Sequence, residues 1–477
     1  MIWQRGYIVY FNVNEHINIV SSTATFDKGY RLDPSQYNIN VERIIRTSQS
    51  NGVETPSLET LKCINEIYLP NRFSRHYTGK RNVGVPMLGT STMLNLRLPD
   101  NNRVYIEKLQ DGNKLFIQPN DILISRSGTV GTSVLCGETF AGHIASDHCL
   151  RVRINDKYRG YIAAYLRTKY GFSLLEKDAH GKVIKELVED NIYELPVLLF
   201  ENIREQVNEL MYESVKKYDE ARKEIQKVEN ELLLVLANYV PKNVEYDNHI
   251  LSFNDLHINR LDPHMHDSYT NYIFRAIENS DSYYILGDIA DVWGTARFKR
   301  HYLNEDNENS VGLFSSSDIV RANLSPSKYI SKTLNSKQLD KCVISTDTVL
   351  VPCSGAYGGV LGHGMLAGPL MNGKAITQHV LRIAAKKDSP AYFYYVAAFL
   401  CSDNFGYHLM ASTRFGKDIP EIDPNVLKRI PIPRLETSAE KRIGDIFKRS
   451  SVLQEKANQL ENTAISLIEQ EYEKLIV

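Results

Sequence analysis

The chain carries the same ordered set of sequence fragments twice. Arg31-Leu32-Asp33-Pro34 returns as Arg260-Leu261-Asp262-Pro263, 229 residues later. Arg72-Phe73-Ser74-Arg75-His76-Tyr77 returns as Arg297-Phe298-Lys299-Arg300-His301-Tyr302, 225 residues later. Ser127-Gly128 returns as Ser354-Gly355, and Tyr161-Ile162-Ala163-Ala164-Tyr165-Leu166 as Tyr395-Val396-Ala397-Ala398-Phe399-Leu400. Order is kept while the shift drifts only between 225 and 236, as it does when one fold is copied and its loops change length. A period this long is a duplicated domain; solenoid units recur every 20–50 residues or so. Two similar, unequal halves suit two similar, unequal binding targets.

A chain of 477 residues has room for two domains with separate cores. No apolar run approaches the roughly 18 residues of a membrane span, and the first residues lack the pattern of an export signal. Six scattered cysteines without a C-x-x-C pair argue against a zinc ribbon or a disulfide framework. They fit a reducing, cytoplasmic setting. Net charge is −1, so any nucleic-acid surface must be a local patch offset by acids elsewhere.

Each half reads as a β-rich region followed by a long helix, an α+β organisation. Segments 83–88, 115–117, 122–125 and 150–154 are Val/Ile/Leu-rich runs bounded by turn residues and predict strands. Segment 161–167 predicts a short helix. Segment 201–240 has neither Pro nor Gly, and Tyr218, Ala221, Ile225, Val228, Leu232 and Val235 recur at spacings of 3 and 4. Segment 438–477 repeats the pattern through Ile443, Ile446, Ser450, Leu453, Ala457, Leu460, Ala464 and Leu467. A helix of such length is on the order of 60 Å long and would outreach its own domain. Two such helices would each be marginal alone and would bury both stripes as an antiparallel pair. That arrangement would set two β-rich domains apart about a pseudo-twofold axis. The alternative is that each helix covers its own domain's core. The expected division is 1–200 and 241–437 for the domains, with helices at 201–240 and 438–477.

Catalytic signatures are weak. Gly368 to Ala375 approximates a phosphate-cradling loop, but Ala375 replaces the required hydroxyl, and 376–383 reads as a strand. His264 and His266 are two potential ligands and make no metal site. Pro99-Asp100 with Glu107-Lys108 lacks the acid-x-lysine of a nuclease. No Asn/Asp-Pro-Pro-Tyr/Phe motif of amino-methyltransferases occurs.

Paired polar clusters are stronger. Arg72, Arg75, His76, Tyr77, Lys80 and Arg81 are echoed by Arg297, Lys299, Arg300, His301 and Tyr302. Cations interleaved with aromatics suit a phosphate backbone, where they displace counterions. The plain alternative is a solvated loop with Phe73 and Phe298 plugging the core. Ser125, Arg126, Ser127 and Thr129 are echoed by a loop with Ser354 and Tyr357. Both loops follow an Asp and a strand, at Asp121 and Asp347. Their glycines permit close approach to a ligand, or serve only a tight hairpin. Thr90-Ser91-Thr92 faces Ser315-Ser316-Ser317, and Arg126 faces Pro352 or Cys353. Lys182, Arg414 and Lys417 complete the candidate set by loop chemistry. Shared positions suit backbone contact and divergent ones base readout.

With these features the chain resembles the specificity (S) subunits of type I restriction-modification systems. The carriers are the two Arg-Leu-Asp-Pro segments and the two Asp-strand-Ser-Gly loops. Further carriers are Ser146-Asp147-His148-Cys149-Leu150-Arg151-Val152 with its echo Thr377-Gln378-His379-Val380-Leu381-Arg382-Ile383, and the proline-ended strands Leu195-Pro196 and Ile430-Pro431-Ile432-Pro433. The segment before Tyr30 lacks the long leading helix of some relatives. The resemblance implies two target-recognition domains, each reading half of an asymmetric, bipartite double-stranded DNA site. It implies helices that recruit two modification (methyltransferase) subunits, with restriction subunits as further partners. The chain itself would hold no cofactor or metal and catalyse nothing; S-adenosylmethionine would sit in the partner, which methylates adenine. Helix-pair contacts would come from Tyr218, Ile225, Val228, Leu232 and Val235 against Ile446, Leu453, Leu460 and Leu467. Rival readings are the specificity subunit of a type IIB-like or other phage-defence system, and a two-headed protein-binding scaffold.

Overall fold

The structure is a computed structural model. It describes residues 8–13, 16–21, 39–78, 83–100, 102–109, 112–178, 186–241, 266–305, 307–356, 358–416 and 418–475. Both Arg-Leu-Asp-Pro segments lie outside these residues. The chain forms two units, residues 1–216 with 459–477, and residues 217–458.

In the first unit, a four-stranded antiparallel sheet has the order Ile64–Tyr68, Cys149–Ile154, Ile122–Ser125, Ser133–Leu135. A second sheet has the order Tyr77–Thr78, Arg103–Val104, Val85–Leu88, Ile144–Ala145, with its last pair parallel. The second unit builds the same two sheets. Its first runs Ala290–Trp293, Val380–Ala385, Val349–Pro352, Met365–Leu366. Its second runs Tyr302–Leu303, Lys328–Ser331, Ser310–Phe314, Ala375–Ile376, again closing on a parallel pair. Identical strand order with one parallel pair at the same place is strong support for duplication. The fold is α+β. The first unit also contains a hairpin, Ile8–Val13 with His16–Ser21.

The expected strands at 83–88, 122–125 and 150–154 are present as Val85–Leu88, Ile122–Ser125 and Cys149–Ile154. Segment 115–117 is not a strand. A 3-10 turn, Gly112–Leu115, fills its start, and Phe116 makes a single bridge to Ile144. Gly368 to Ala375, the near miss to a phosphate loop, holds the 3-10 turn Pro369–Met371 and runs into the short strand Ala375–Ile376.

The expected strand at Leu195-Pro196 is reduced to isolated bridges at Pro196 and Leu199, while Pro431–Pro433 is a strand; in each unit a tyrosine fastens the short helix to this segment before the long helix. Tyr161 Oη donates to Leu198 O (2.6 Å) in one, and Tyr395 Oη donates to Pro433 O (2.8 Å) in the other. Both tyrosines are fully buried, so a hydroxyl without that acceptor would be costly.

Long helices span Glu201–Val235 and Thr437–Glu473. Within the first unit, Ile203, Val207 and Met211 share a core with Ala464, Ile468 and Tyr472. Within the second, Val228, Leu232 and Leu236 share one with Ile443, Ile446 and Phe447. There the two segments run antiparallel: Arg449 pairs with Glu224 (3.2 Å) and Arg442 with Glu231 (2.8 Å). Each long helix thus contributes one end to the core of the first unit and the other end to the core of the second, rather than covering its own preceding domain alone. On the first helix the read stripe is buried through Tyr218, Ile225, Val228 and Leu232, then moves from Val235, half-buried, to Leu236. On the second, Ile446 is buried but Leu453, Leu460 and Leu467 only flank the buried row. That row runs through Gln454, Ala457, Asn458, Glu461, Ala464 and Ile468. Its polar members have a reason to be there. Gln454 donates to the carbonyls of Arg321 and Ala322, and Asn458 takes the Leu324 amide at 2.6 Å. An apolar pattern search misses a face held by amide hydrogen bonds.

No helix among the described residues is long and apolar enough to cross a membrane. All six cysteines are buried and none forms a disulfide.

Two matched glycines test the packing. A methyl group at Gly171 would overlap the Tyr165 carbonyl oxygen, and one at Gly406 the Leu400 carbonyl oxygen. Gly171→Ala and Gly406→Ala should each destabilise the protein by about 1–3 kcal/mol, read as a lowered denaturation midpoint.

Candidate nucleic-acid interface

The site in each unit begins where the central strand of the first sheet ends. In the first unit, Gly131 N donates to Ser125 O (3.0 Å), closing the Ser-Arg-Ser-Gly loop, and Gly128 and Gly131 adopt φ of +80° and +84°. Arg126 N donates to His148 O (2.9 Å), and Leu187 N donates to Arg126 O (3.0 Å). Ser127 Oγ lies 2.6 Å from His148 Nδ1. The second unit repeats every link: Cys353 N to His379 O (2.9 Å), Ile422 N to Cys353 O (2.8 Å), and Ser354 Oγ to His379 Nδ1 at 2.8 Å. Its loop closes at Gly362 N to Pro352 O (2.9 Å), four residues longer. Arg126 is therefore the counterpart of Cys353, not of Pro352.

The acid before the strand is not shared as the sequence suggested. Asn120 and Asp347 occupy the same left-handed position, φ 72° and 58°. Asn120 N donates to Cys136 O and Asp347 N to Ala367 O. Asp347 thus matches Asn120, and Asp121 matches Thr348. Asp121 is buried and accepts from Gln118 N (2.9 Å) and Arg153 Nε (2.7 Å), which makes it a structural acid.

Charge is arranged differently around the two Ser–His pairs. In the first unit, Arg75 is ion-paired to Asp147, and Arg72 and Arg126 each reach Glu186 at 2.7 Å. The hydrogen bond from Arg126 leads the causes that hold the Glu186 carboxyl below its ordinary range. In the second unit, Arg300 donates to Gln378 Oε1. The Gln378 amide nitrogen lies 2.7 Å from His379 Nε2, and Ser354 Oγ lies 3.3 Å from Glu421 Oε1. These contacts assign a direction: amide to Nε2, Nδ1–H to Ser354 Oγ, hydroxyl to Glu421. Each donor then has an acceptor, and the chain of bonds stiffens the loop.

The Ser–His pairs do not have the geometry of a nucleophile and its oriented base. His148 Nε2 is 3.9 Å from Asp147, beyond hydrogen-bond range, and the matching residue in the second unit is an amide. Ser127 is buried. The pairs hold a loop in place.

The predicted residues fall as follows. Arg72, Arg75, Arg126 and Ser127 meet in one network, and Arg300 and Ser354 in the other. Ser316 joins the second through its hydroxyl to His379 O (2.8 Å), while Ser315 turns to Asp318 and Ser317 is exposed. Thr92 closes its own turn by accepting from Gly89 N (2.9 Å), with Thr90 half-buried and Ser91 exposed beside it. His76, Thr129, Arg297 and Lys299 are exposed, and the His301 amide donates to Asn335. Tyr77 and Tyr302 present themselves at matching edge positions, 55% and 51% exposed. Phe73 and Phe298 are half-buried and pack on the small cores of the second sheets, so these clusters carry an apolar anchor and an exposed cationic face together.

Three expectations need correction. Ser125 is fully buried, its hydroxyl given to Ser127 O, and cannot meet a ligand. Ser127 is buried and its hydroxyl is engaged by His148, so it positions the loop rather than presenting a free group. Arg414 is buried and donates to Ala411 O (2.7 Å), so it closes the end of a helix. Lys80, Arg81, Lys182, Tyr357 and Lys417 lie outside the described residues. So does His264, while His266 is buried; no cluster of three metal-ligating side chains occurs among the described residues.

The sequence reading left out the site's organisers: Asp147, His148 and Glu186, with Gln378, His379 and Glu421. The signal existed. Asp147-His148 and Gln378-His379 are an echo at a shift of 231.

No protein-family profile matches the chain, and no curated protein matches it either. Among solved structures, the chain is similar to the type I restriction-modification S subunit from M. genitalium, 11% identical over 89% of this chain and 96% of that one, with a TM-score of 0.33. It is similar to a chain in a structure of type I restriction-modification assembly and conformational transition, at 12% identity, 89% and 96% coverage and a TM-score of 0.28. It is also similar to the HsdS subunit from Thermoanaerobacter tengcongensis, at 13% identity, the same coverages and a TM-score of 0.25. At these scores the likeness carries no functional argument, which rests on the residues.

The Glu186 bridge has a pH signature. A carboxyl depressed in the folded state stabilises above its unfolded pKa, and that contribution is lost as pH falls through the folded value. Below pH 4.5, the ordinary value for this group, the wild type should lose stability more steeply than Glu186→Gln, measured by denaturant titration at stepped pH.

Proposed function

We propose that the chain is the DNA-specificity subunit of a type I restriction-modification complex, each unit reading one element of an asymmetric, bipartite duplex target. One observation carries the reading: the same loop-and-histidine network is built twice, on the same strand, with different side chains at chosen positions. Arg75 and Arg300, Ser127 and Ser354, His148 and His379, and Glu186 and Glu421 are shared. Arg126 against Cys353, Asp147 against Gln378, and loop length are not. Shared cations suit the uniform phosphate backbone, and divergent loops suit the variable base edges. Specific binding must exceed nonspecific binding by roughly 10³–10⁷, and a good bidentate base contact is worth about 1–3 kcal/mol, so dividing the task between two units keeps each within reach.

Chemistry belongs to partners in this reading. Two modification subunits dock on the long helices, bring S-adenosylmethionine and methylate adenine; restriction subunits join them. Mapping of methylated adenine across the genome, with and without this gene, tests the reading. The expected result is one asymmetric bipartite motif that disappears with the gene. Unchanged methylation would refute it.

The arginines give a finer expectation. If Arg75 and Arg300 each neutralise one phosphate, Arg75→Gln and Arg300→Gln should each lower the slope of log affinity against log salt by about 0.9. Fluorescence anisotropy of the assembled complex on its target duplex, over a salt series, measures it.

A further inference from the structure

The two Ser–His pairs share a geometry and carry the ring proton on opposite nitrogens. In the second unit the order is fixed from outside the pair. An arginine only donates, so Arg300 takes the Gln378 oxygen, and the Gln378 amide nitrogen faces His379 Nε2 at 2.7 Å. His379 Nε2 is therefore an acceptor, and the ring proton sits on Nδ1, 2.8 Å from Ser354 Oγ. The Ser354 hydroxyl has its own acceptor in Glu421 Oε1, at 3.3 Å. Both ring nitrogens of His379 are spent inside the protein.

The first unit lacks both determinants. Arg75 takes one oxygen of Asp147, but a carboxylate has no amide hydrogen to give the ring. Glu186, the counterpart of Glu421, is held by Arg72 and Arg126, one oxygen each. Among the described residues the buried Ser127 hydroxyl has one partner, His148 Nδ1 at 2.6 Å. A buried hydroxyl hydrogen needs an acceptor, so Ser127 donates and Nδ1 accepts. The ring proton is then on Nε2, where the Asp147 carboxylate, 3.9 Å away, favours it. The His148 side chain is 39% exposed, and with Nδ1 turned to a buried hydroxyl its open edge is the Nε2 edge.

We propose that the Nε2–H of His148 is a base-reading donor of the first unit, taking the N7 acceptor of a purine in the major groove, while His379 reads no base. The inference rests on the DNA reading above. Guanine and adenine both offer N7 on that edge, whereas cytosine offers a donor. N7 takes no part in base pairing, so a single donor has full use of it. A phosphate is the poorer acceptor, because the Asp147 carboxylate beside Nε2 repels it. The expected preference is for a purine, of either kind, at one position.

Two measurements test it. The first is long-range proton–nitrogen spectroscopy of the full chain with isotope-labelled histidine, assigned with His148→Gln and His379→Gln. The unprotonated nitrogen should be Nδ1 in His148 and Nε2 in His379; one tautomer in both rings would overturn the proposal. The second measures binding by the assembled complex as 7-deazapurines are placed one at a time through its target duplex. One such position should weaken binding about three- to tenfold in the wild type. Asp147→Gln, which sets the amide of the second unit against His148, should remove that difference and move the ring proton to Nδ1. A wild type insensitive at every purine would overturn the proposal and leave the DNA reading intact. So would losses that all survive Asp147→Gln, or a loss seen only with a methylphosphonate in the backbone. A complex that prefers no duplex sequence would defeat the DNA reading, and this proposal with it.

Discussion

The hydrogen bond between a loop serine and a strand-leading histidine sets everything else at the candidate interface. Ser127 and His148 make it in one unit, Ser354 and His379 in the other. Each histidine also receives the backbone amide that follows the central strand, so side chain and main chain fix the same loop from two directions. A glycine-containing loop left free would lose on binding the entropy it keeps in solution. Tied to a sheet, it presents its remaining groups in a set geometry, and binding avoids part of that ordering cost.

Around this constant pair the two units have diverged in charge. The first neutralises its arginines with Asp147 and Glu186, and Arg72 and Arg126 share the Glu186 carboxylate, one oxygen each. The second replaces the acid by Gln378, leaves Arg300 without a carboxylate partner among the described residues, and routes hydrogen bonds to Glu421. Exposed ion pairs contribute little to stability, so Arg72, 70% exposed, can exchange its carboxylate for a phosphate at small cost. The same logic explains a near-zero net charge in a proposed DNA-binding chain: the cations are local and held by acids until a stronger partner arrives.

Much of this was legible in the sequence because duplication turns weak motifs into aligned pairs. The echo of Arg72–Tyr77 located the cationic edge, and that of Ser127-Gly128 located the loop. What failed did so for physical reasons. Asp121 and Asp347 share a residue type but not a position, because one backbone site requires a left-handed conformation that either Asn or Asp tolerates. Arg414 looked like a free cation, yet burial beneath its helix end is a three-dimensional fact that composition does not carry. On the second long helix, Leu453 and Leu460 drew attention from Gln454 and Asn458, whose burial depends on carbonyls more than a hundred residues away. Glu186 and Glu421 were invisible for the same reason: their partners lie far off in sequence.

The central claim is that each unit carries its own reading head, organised by its own serine and histidine. Selection of bound duplexes from a random pool by the assembled complex addresses it directly. Ser127→Ala with His148→Ala should relax one sequence element and spare the other, and Ser354→Ala with His379→Ala should do the reverse. Loss of both elements in either double variant, or a selected sequence unchanged in both, would contradict the account.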